Sequence, residues 1–332
     1  MGRIKQIKDY LFYSRYYRHL LALHHYDLRR REGEEVYCRR WRRLSPWVEP
    51  YSYRLFSRFC GPTPDIIPEY ILHHDVEPCL NPPEYWAELE DKNNFVHLLG
   101  ADYLPRTVAW CQKGHRLSII SNQWSEPTSY ILKPSVGTSC GERIVKLGAL
   151  PTEEFLSNYG DDWVLQETIV QHPHLQRLCS TSVNTLRIAV YRSVCDEQSH
   201  ITAAVLRVGK EGSVVDNASS GGRYVGVDLT TGHLHHNVYS MHGNPTAQWN
   251  GVDYRENMTI PSWEAVQQMA LQVSQRVPHQ HLLALDIAVR MDGTPVLIEY
   301  NMGGFSAYFF HFTGCTVFGE WTEEVLDYCS RK

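Results

Sequence analysis

From residue 4 to residue 24, apolar side chains (Ile4, Ile7, Leu11, Leu20, Leu21, Leu23) recur near helical spacing among tyrosines and basic residues, which predicts a basic, aromatic-rich helix. Two proline-rich connectors, "GPTPDIIPEY" (61–70) and "CLNPPEYW" (79–86), mark a boundary. Beyond them "DKNNFVHLLG" carries a helical pattern ending near Gly100, and "TVAWC" reads as strand. From Tyr130 onward short β-rich runs alternate with glycine-containing turns: "YILKPSVGTSCGERIVKL", "WVLQETIV", "TLRIAVYRS", "HITAAVLRV" and "YVGVDLTTG". The clearest amphipathic helix is "PSWEAVQQMALQVSQRV" (261–277), with Ser262 as expected N-cap, Glu264 in the first turn and Val266, Met269 and Val273 facing inward. Helices mixed with mainly antiparallel strands give an α+β class.

The stretch "LALDIAVRMDGTPVLIEYNMGG" (283–304) reads as a β-hairpin with Asp292-Gly293 as a two-residue type I′ loop. That register sets Met291 against Thr294 and Asp286 directly against Glu299. Like charges facing each other across two strands are destabilising. Asp286, Glu299 and Asn301 together form an oxygen-rich set suited to a hard cation, and Mg²⁺ is commonly held by one or two carboxylates plus substrate phosphates. A surface hairpin with two solvated acids is the plainer reading of the same residues.

At 332 residues, 43% hydrophobic and 12% aromatic, the chain has enough material for two or three lobes around a sizeable core. It has no apolar run long enough for a membrane span, and its first residues lack the apolar core of a signal peptide. Nine scattered cysteines without a C-x-x-C pair read as reduced thiols, which places the protein in the cytoplasm. The net charge of −5 hides an asymmetry: residues 1–58 carry 14 Lys and Arg against 6 acids, and the rest 18 against 31. The basic part is either a solvated face packed on the acidic remainder or a surface for an anionic membrane or a phosphate-bearing lipid-linked glycan. Nucleic acid has no recognition motif to support it.

"LKPSVGTSCGERIV" puts Lys133 in a strand before a loop with Gly137 and Gly141, where backbone N–H groups and a lysine could meet phosphate. Its spacing is not that of a Walker A loop. "DNASSGGRYVG" is a second small-residue loop, and Arg187 and Arg207 lie in strand-like runs where a buried arginine needs an acidic or phosphate partner. The 17 histidines offer no zinc spacing, and Cys140 has no placed histidine to activate it.

In this order, "DKNNF…LP.T", "ILKPSVGTSCG", "VLQETIV", "TLRIAV", "AAVLRV", "DNASSGG" and "LDIAV…DG.PVLIEYN" resemble the ATP-grasp superfamily from about Asp91 to the C-terminus. The closest resemblance is to its sugar-transfer associated group, through "VNTLRI", "NASSGG", "GVDLTTG" and "TGCTVFGEWTEEVLDYC". The resemblance implies two α+β lobes gripping ATP, preceded by a basic, mainly helical N-terminal region. The expected division is residues 1–75 for that region, 76–170 for the first lobes with the phosphate loop, and 171–332 for the C-terminal lobe with the metal hairpin.

It further implies Lys92, Lys133 and Thr138 at the nucleotide phosphates, Gln166, Glu167, Ile169 and Val170 at adenine and ribose, and Asn217, Gly221 and Gly222 beside the transferred phosphate. Arg187 and Arg207 would meet the reacting carboxylate, and Asp286, Glu299 and Asn301 would hold Mg²⁺, expected as two ions. Ala284 stands where the D-alanine ligase branch has an arginine, so oxyanion stabilisation falls to Arg187 or Arg207.

The implied activity is a carboxylate–amine ligase working through an acyl phosphate. Its implied setting is bacterial capsule or O-antigen synthesis, with a sugar acid and an amino acid or amino sugar as substrates. A phosphotransferase acting on a glycan and a non-catalytic nucleotide-binding scaffold are the alternatives.

Overall fold

The computed structural model describes residues 2–113, 115–118, 129–137 and 141–331. Two antiparallel sheets carry the architecture. The first has five strands, β1 (Thr107–Gln112), β2 (His115–Ser118), β3 (Tyr130–Pro134), β4 (Val145–Leu147) and β5 (Trp163–Glu167), in the order β2-β1-β5-β3-β4. It closes over a small core of Val108, Leu132, Leu156, Trp163 and Leu165.

The second sheet contains β6 (Thr185–Arg192), β7 (Ser199–Val208), β8 (Arg223–Val227), β9 (Leu234–Tyr239) and β10 (Pro245–Thr246). A two-stranded ribbon, β11 (Gln248–Trp249) and β12 (Val252–Asp253), follows, and β13 (Leu282–Val289) and β14 (Pro295–Asn301) complete the sheet in the order β10-β9-β8-β7-β6-β13-β14.

Every residue of β6 and of β13 is buried, because this sheet is covered on both faces. Ala189, Tyr191, Ala203, Val205, Leu282 and Ala284 point to one side, where they meet Tyr17, Leu20, Tyr37, Trp41, Tyr53 and Phe56 of the N-terminal helices and the aromatic segment Phe305–Phe312. The alternate residues, Leu186, Ile188, Val190, Leu283, Leu285 and Ile287, point to the other. There the helix Trp263–Arg276 buries Val266, Met269, Ala270 and Val273. The basic N-terminal helices are thus one layer of the same sandwich, sharing a core with residues 189–326. Part of the charge asymmetry is spent inside the chain: Arg40 pairs with Glu323 at 2.9 Å, and Arg43 pairs with Glu323 and Asp327. The eight described cysteines are free thiols.

The hairpin differs from its expected form. Arg290 N donates to Thr294 O at 2.9 Å and Gly293 N to Arg290 O at 2.9 Å, with Gly293 at φ +87°, so the loop has three residues and a left-handed glycine. That shifts the pairing by one residue, giving Ile287 opposite Leu297. A bulge at Ile298 shifts it back, and Asp286 does face Glu299. Ser262 also departs from expectation. It sits at φ +53° with no side-chain capping bond, its hydroxyl lying against the Gly293 turn, and only its carbonyl enters the helix, accepting from Val266 N at 3.0 Å.

Candidate active site

Between the two sheets lies a cavity of about 500 Å³, walled by β3 and β5 on one side and by β6, β7 and β14 on the other. Register decides what reaches it. Arg187 is the cross-strand partner of Asp286, which faces Glu299, while Arg207 is paired with Thr185 on the neighbouring strand. With side-chain period two, these residues project from one end of one sheet face, continuing the rows that bury Ala189 and Ala284.

Asp286 is wholly buried and its carboxylate is taken by arginines. Arg187 Nε and Nη2 donate to Oδ1 and Oδ2 at 2.5 and 3.0 Å, and Arg207 Nη2 donates to Oδ2 at 3.1 Å. Burial works to raise its pKa, but the two guanidiniums prevail and hold the carboxyl below its ordinary range. Arg207 also donates to Thr185 Oγ1 at 2.7 Å and Asn217 Oδ1 at 3.5 Å, and pairs with Asp216 at 3.4 Å. Burial acts to lower the Arg207 pKa, yet Asp216 and Asp286 raise it.

The other cations are placed differently. Lys92 Nζ lies 3.3 Å from Glu299 Oε2, whereas among the described residues Lys133 Nζ donates to the Ile298 carbonyl alone, at 3.4 Å. Burial first, and repulsion from Lys92 second, depress the Lys133 ammonium to about 8. Among the described residues no carboxylate pairs directly with it, so the charged amine is buried at a cost.

Of the residues singled out from sequence, Lys92, Lys133, Gln166, Glu167, Ile169, Arg187, Arg207, Asn217, Glu299 and Asn301 line the cavity. Thr138 lies outside the described residues. Four others, Val170, Gly221, Gly222 and Asp286, stand off the lining. Val170 is turned outward and its carbonyl accepts from Met291 N at 2.9 Å. Gly221 and Gly222 do not line the cavity but shape the loop that presents Asp216 and Asn217. Gly221 is left-handed at φ +88°, and a Cβ on Gly222 would lie 2.5 Å from the Asp216 carbonyl. Asp286 sits behind the lining, with the arginines in front of it.

Glu299 and Asn301, two residues apart on β14, open onto the cavity, and one carboxylate with an amide oxygen beside bound phosphates suits Mg²⁺. Asp286, which faces Glu299 across the hairpin, carries the counter-charge of Arg187 and Arg207 in this structure. Gln166 Nε2 donates to Thr107 Oγ1 at 3.3 Å, and Glu167 pairs with Arg106 at 3.1 Å, so both stand on the rim of the first sheet. Thr185 and Asp216 were missed from sequence. Asp216 adjoins the chosen Asn217, and Thr185 is the first residue of the chosen strand, so adjacency was the available signal.

Two antiparallel sheets closing on a cation-lined cleft, with an acid-bearing hairpin at its edge, define an ATP-grasp protein. The profile of the sugar-transfer associated ATP-grasp family matches residues 155–320, half of the sequence, and the chain belongs to that family. Among solved structures it is similar to the ATP-grasp ligase PsnB in complex with minimal precursor, Mg and ADP, at 14% identity over 76% of this chain and 62% of that one, TM-score 0.44. It is also similar to an L-amino acid ligase from Bacillus licheniformis, at 15% identity over 67% and 43%, TM-score 0.38. A third is D-alanyl-alanine synthetase A from Vibrio cholerae, at 14% over 76% and 66%, TM-score 0.43. The chain thus spans less than two thirds of each. No curated protein matches the sequence.

Proposed function

We propose that this protein is an ATP-dependent carboxylate–amine ligase acting in bacterial cell-surface polysaccharide synthesis. The observation that carries the proposal is the convergence of Lys92, Lys133, Arg187 and Arg207 on one cavity, with Glu299 and Asn301 as open oxygen donors. In this reading the chemistry rests on positioning and charge, which the four converging cations supply, rather than on an activated protein nucleophile.

A substrate carboxylate oxygen attacks the γ-phosphorus of ATP, the bond to the β–γ bridging oxygen breaks, and ADP leaves with that electron pair. An amine nitrogen then adds to the acyl carbon, loses a proton, and expels inorganic phosphate to leave an amide. Lys133 and Lys92 hold phosphate oxygens, and Arg187, fixed by Asp286, steadies first the carboxylate and then the oxyanion. Mg²⁺ held by Glu299 and Asn301 would neutralise charge on the β- and γ-phosphates. Gln166, Glu167 and Ile169 hold the nucleoside end. The carboxylate is a hexuronic or other sugar acid or an amino acid, and the amine an amino acid or amino sugar.

The test is ADP release from Mg²⁺-ATP with hydroxylamine as surrogate amine, across pools of uronic, sugar and amino acids. Hydroxamate formed in step with ADP, and lost on chelation, is the expected result. A phosphorylated product without hydroxamate identifies a phosphotransferase instead, and no nucleotide turnover with any acid points to a scaffold.

We also propose that the protein works in the cytoplasm at an anionic membrane face. No helix among the described residues is long and apolar enough to cross a bilayer, so the contact is peripheral. The outward arc of the helix Gly2–Leu23 carries Lys5, Lys8, Arg15 and Arg18 beside Ile7, Leu11 and Phe12, while the acid of this helix, Asp9, is paired with His74. Phe12 is 59% exposed and Leu11 46%, unusual for a helix whose other face is already packed. Apolar side chains flanked by snorkelling cations suit an interface. Sedimentation with vesicles should be strong for phosphatidylglycerol-containing lipid, absent for phosphatidylcholine alone, and reduced about fivefold or more by Lys8→Glu, since each cation near the surface is worth about 1 kcal/mol. Equal binding to both lipids would remove the proposal.

A further inference from the structure

The helical stretch Glu69–Leu80 contains five π-wound residues, Leu72–Val76. Their cause is Pro78, which has no N–H to donate and whose ring would strike the His74 carbonyl in a regular α-helix. Wide turns of this kind concentrate at functional sites. On this stretch Glu69, His73 and Glu77 stand four apart and in contact. His73 Nε2 is 3.4 Å from Glu69 Oε1, and His73 Nδ1 is 2.9 Å from Glu77 Oε2. Both ring nitrogens therefore face carboxylates, an arrangement that the doubly protonated imidazolium satisfies with two donors. Burial opposes charge on His73, but hydrogen bonds to Glu69 and Glu77 outweigh it and raise its pKa to about 10.

The row leads to the cavity. Glu77 is 2% exposed, and its two oxygens accept from consecutive backbone amides, Gly304 N at 3.0 Å and Phe305 N at 2.7 Å. These amides follow directly on the strand that carries Glu299 and Asn301. Gly303, Gly304 and Ser306 line the same cavity, and Gly304 and Ser306 are left-handed at φ +69° and +60°. Ser306 holds that conformation with a side chain attached, which requires the surrounding structure to enforce it. Lys5, Asp9 and Tyr13 of the first helix, with Tyr70 and His74, surround His73 on its outer side, and His74 Nε2 lies 2.6 Å from Asp9 Oδ2.

We propose that Glu69, His73 and Glu77 are positioning residues through which the N-terminal helical layer sets the 303–306 segment, the part of the cavity wall that meets the substrate being joined rather than the nucleotide. The proposal rests on the ligase reading only for the identity of that substrate. It also explains why the catalytic domain carries this N-terminal layer: the loop's two amides have their acceptor on a helix more than 220 residues earlier in the chain.

The test is amide hydrogen exchange of full-length protein over residues 302–307, with binding of a fluorescent ADP in parallel. His73→Gln, which keeps a polar side chain but removes the cation beside Glu77, should loosen the hold of Glu77 on the two amides and speed exchange at Gly304 and Phe305 about tenfold. His73→Lys, which restores the cation, should return it to within about threefold of wild type. Protection in β6 and β13 should stay unchanged, and ADP affinity should hold within about twofold, because the nucleotide contacts lie elsewhere. Exchange at 304–305 unchanged in His73→Gln, or rising equally across the whole sheet, overturns the proposal, the second outcome marking a plain packing role. A wild type that binds no ADP would refute the nucleotide reading and leave the exchange result standing.

Discussion

Asp286→Ala is expected to lower the free energy of unfolding by about 3–5 kcal/mol, the loss that follows when one member of a buried ion pair is removed. The carboxylate has no exposure and anchors Arg187 and Arg207, themselves 7% and 8% exposed. Removing it leaves Arg187 without its carboxylate and Arg207 with only Asp216, in a region with little water to compensate. Glu299→Gln should cost no more than about 1 kcal/mol, because Glu299 is one-third exposed and its ion-pair partner is the single amine of Lys92. Denaturant titration of both variants measures the difference. The double substitution Arg187→Leu with Asp286→Leu should recover at least half of the loss, since it removes acid and base together and leaves Arg207 paired with Asp216. Equal midpoints for Asp286→Ala and Glu299→Gln would show that Asp286 is a solvated ligand and that the buried ion network is wrong.

The same aspartate shows how far the sequence could be read. Two acids on facing strands announced that something must neutralise them, and the facing was correctly placed. It was placed by two departures that cancel: the loop has one residue more than the Asp-Gly signal suggests, and the bulge at Ile298 returns the shift. Period-two reasoning cannot detect such a pair, because the alternation is restored beyond it. The identity of the neutralising group was also out of reach. A metal and an arginine satisfy a carboxylate equally well on paper, and only the register Asp286 to Arg187 brings the guanidinium there.

The strands themselves were legible, since β6, β7, β13 and β14 coincide with apolar runs bounded by turns. Their unbroken burial has a cause that lies elsewhere in the chain, in the N-terminal helices that cover one face. Read locally, the charge of residues 1–58 suggested either a helical face packed on the acidic remainder or an external anionic partner, without deciding between them. In the fold, Arg40 and Arg43 already meet Glu323 and Asp327. What remains turned to solvent is the outer arc of the first helix, visible only once its buried face is known.

Lys133→Met should produce opposite changes in stability and in ligand binding. In the nucleotide-free protein the Lys133 ammonium is 6% exposed, is repelled by Lys92 and titrates near 8. Its folded pKa is therefore below the unfolded value of about 10.4. Between pH 8 and about 10.4 the unfolded chain holds this proton and the folded chain does not, so this group makes stability rise with pH across that window. Below it, keeping the amine charged and buried costs stability. Lys133→Met, similar in volume and uncharged, should raise stability at pH 7 by about 1–3 kcal/mol and flatten the rise above pH 8. A phosphate oxygen reverses the balance by giving the ammonium an anion. The same substitution should therefore weaken ADP or ATP binding about 10- to 100-fold, the worth of one hydrogen bond between charged groups. For the wild type, nucleotide affinity should fall as pH rises past about 8, where the free protein must first take up a proton. Thermal unfolding across pH with and without nucleotide measures all three. A variant that is less stable than wild type and binds nucleotide equally well would mean that Lys133 is an ordinary packing residue, and the phosphates would then have to lie elsewhere in the cleft.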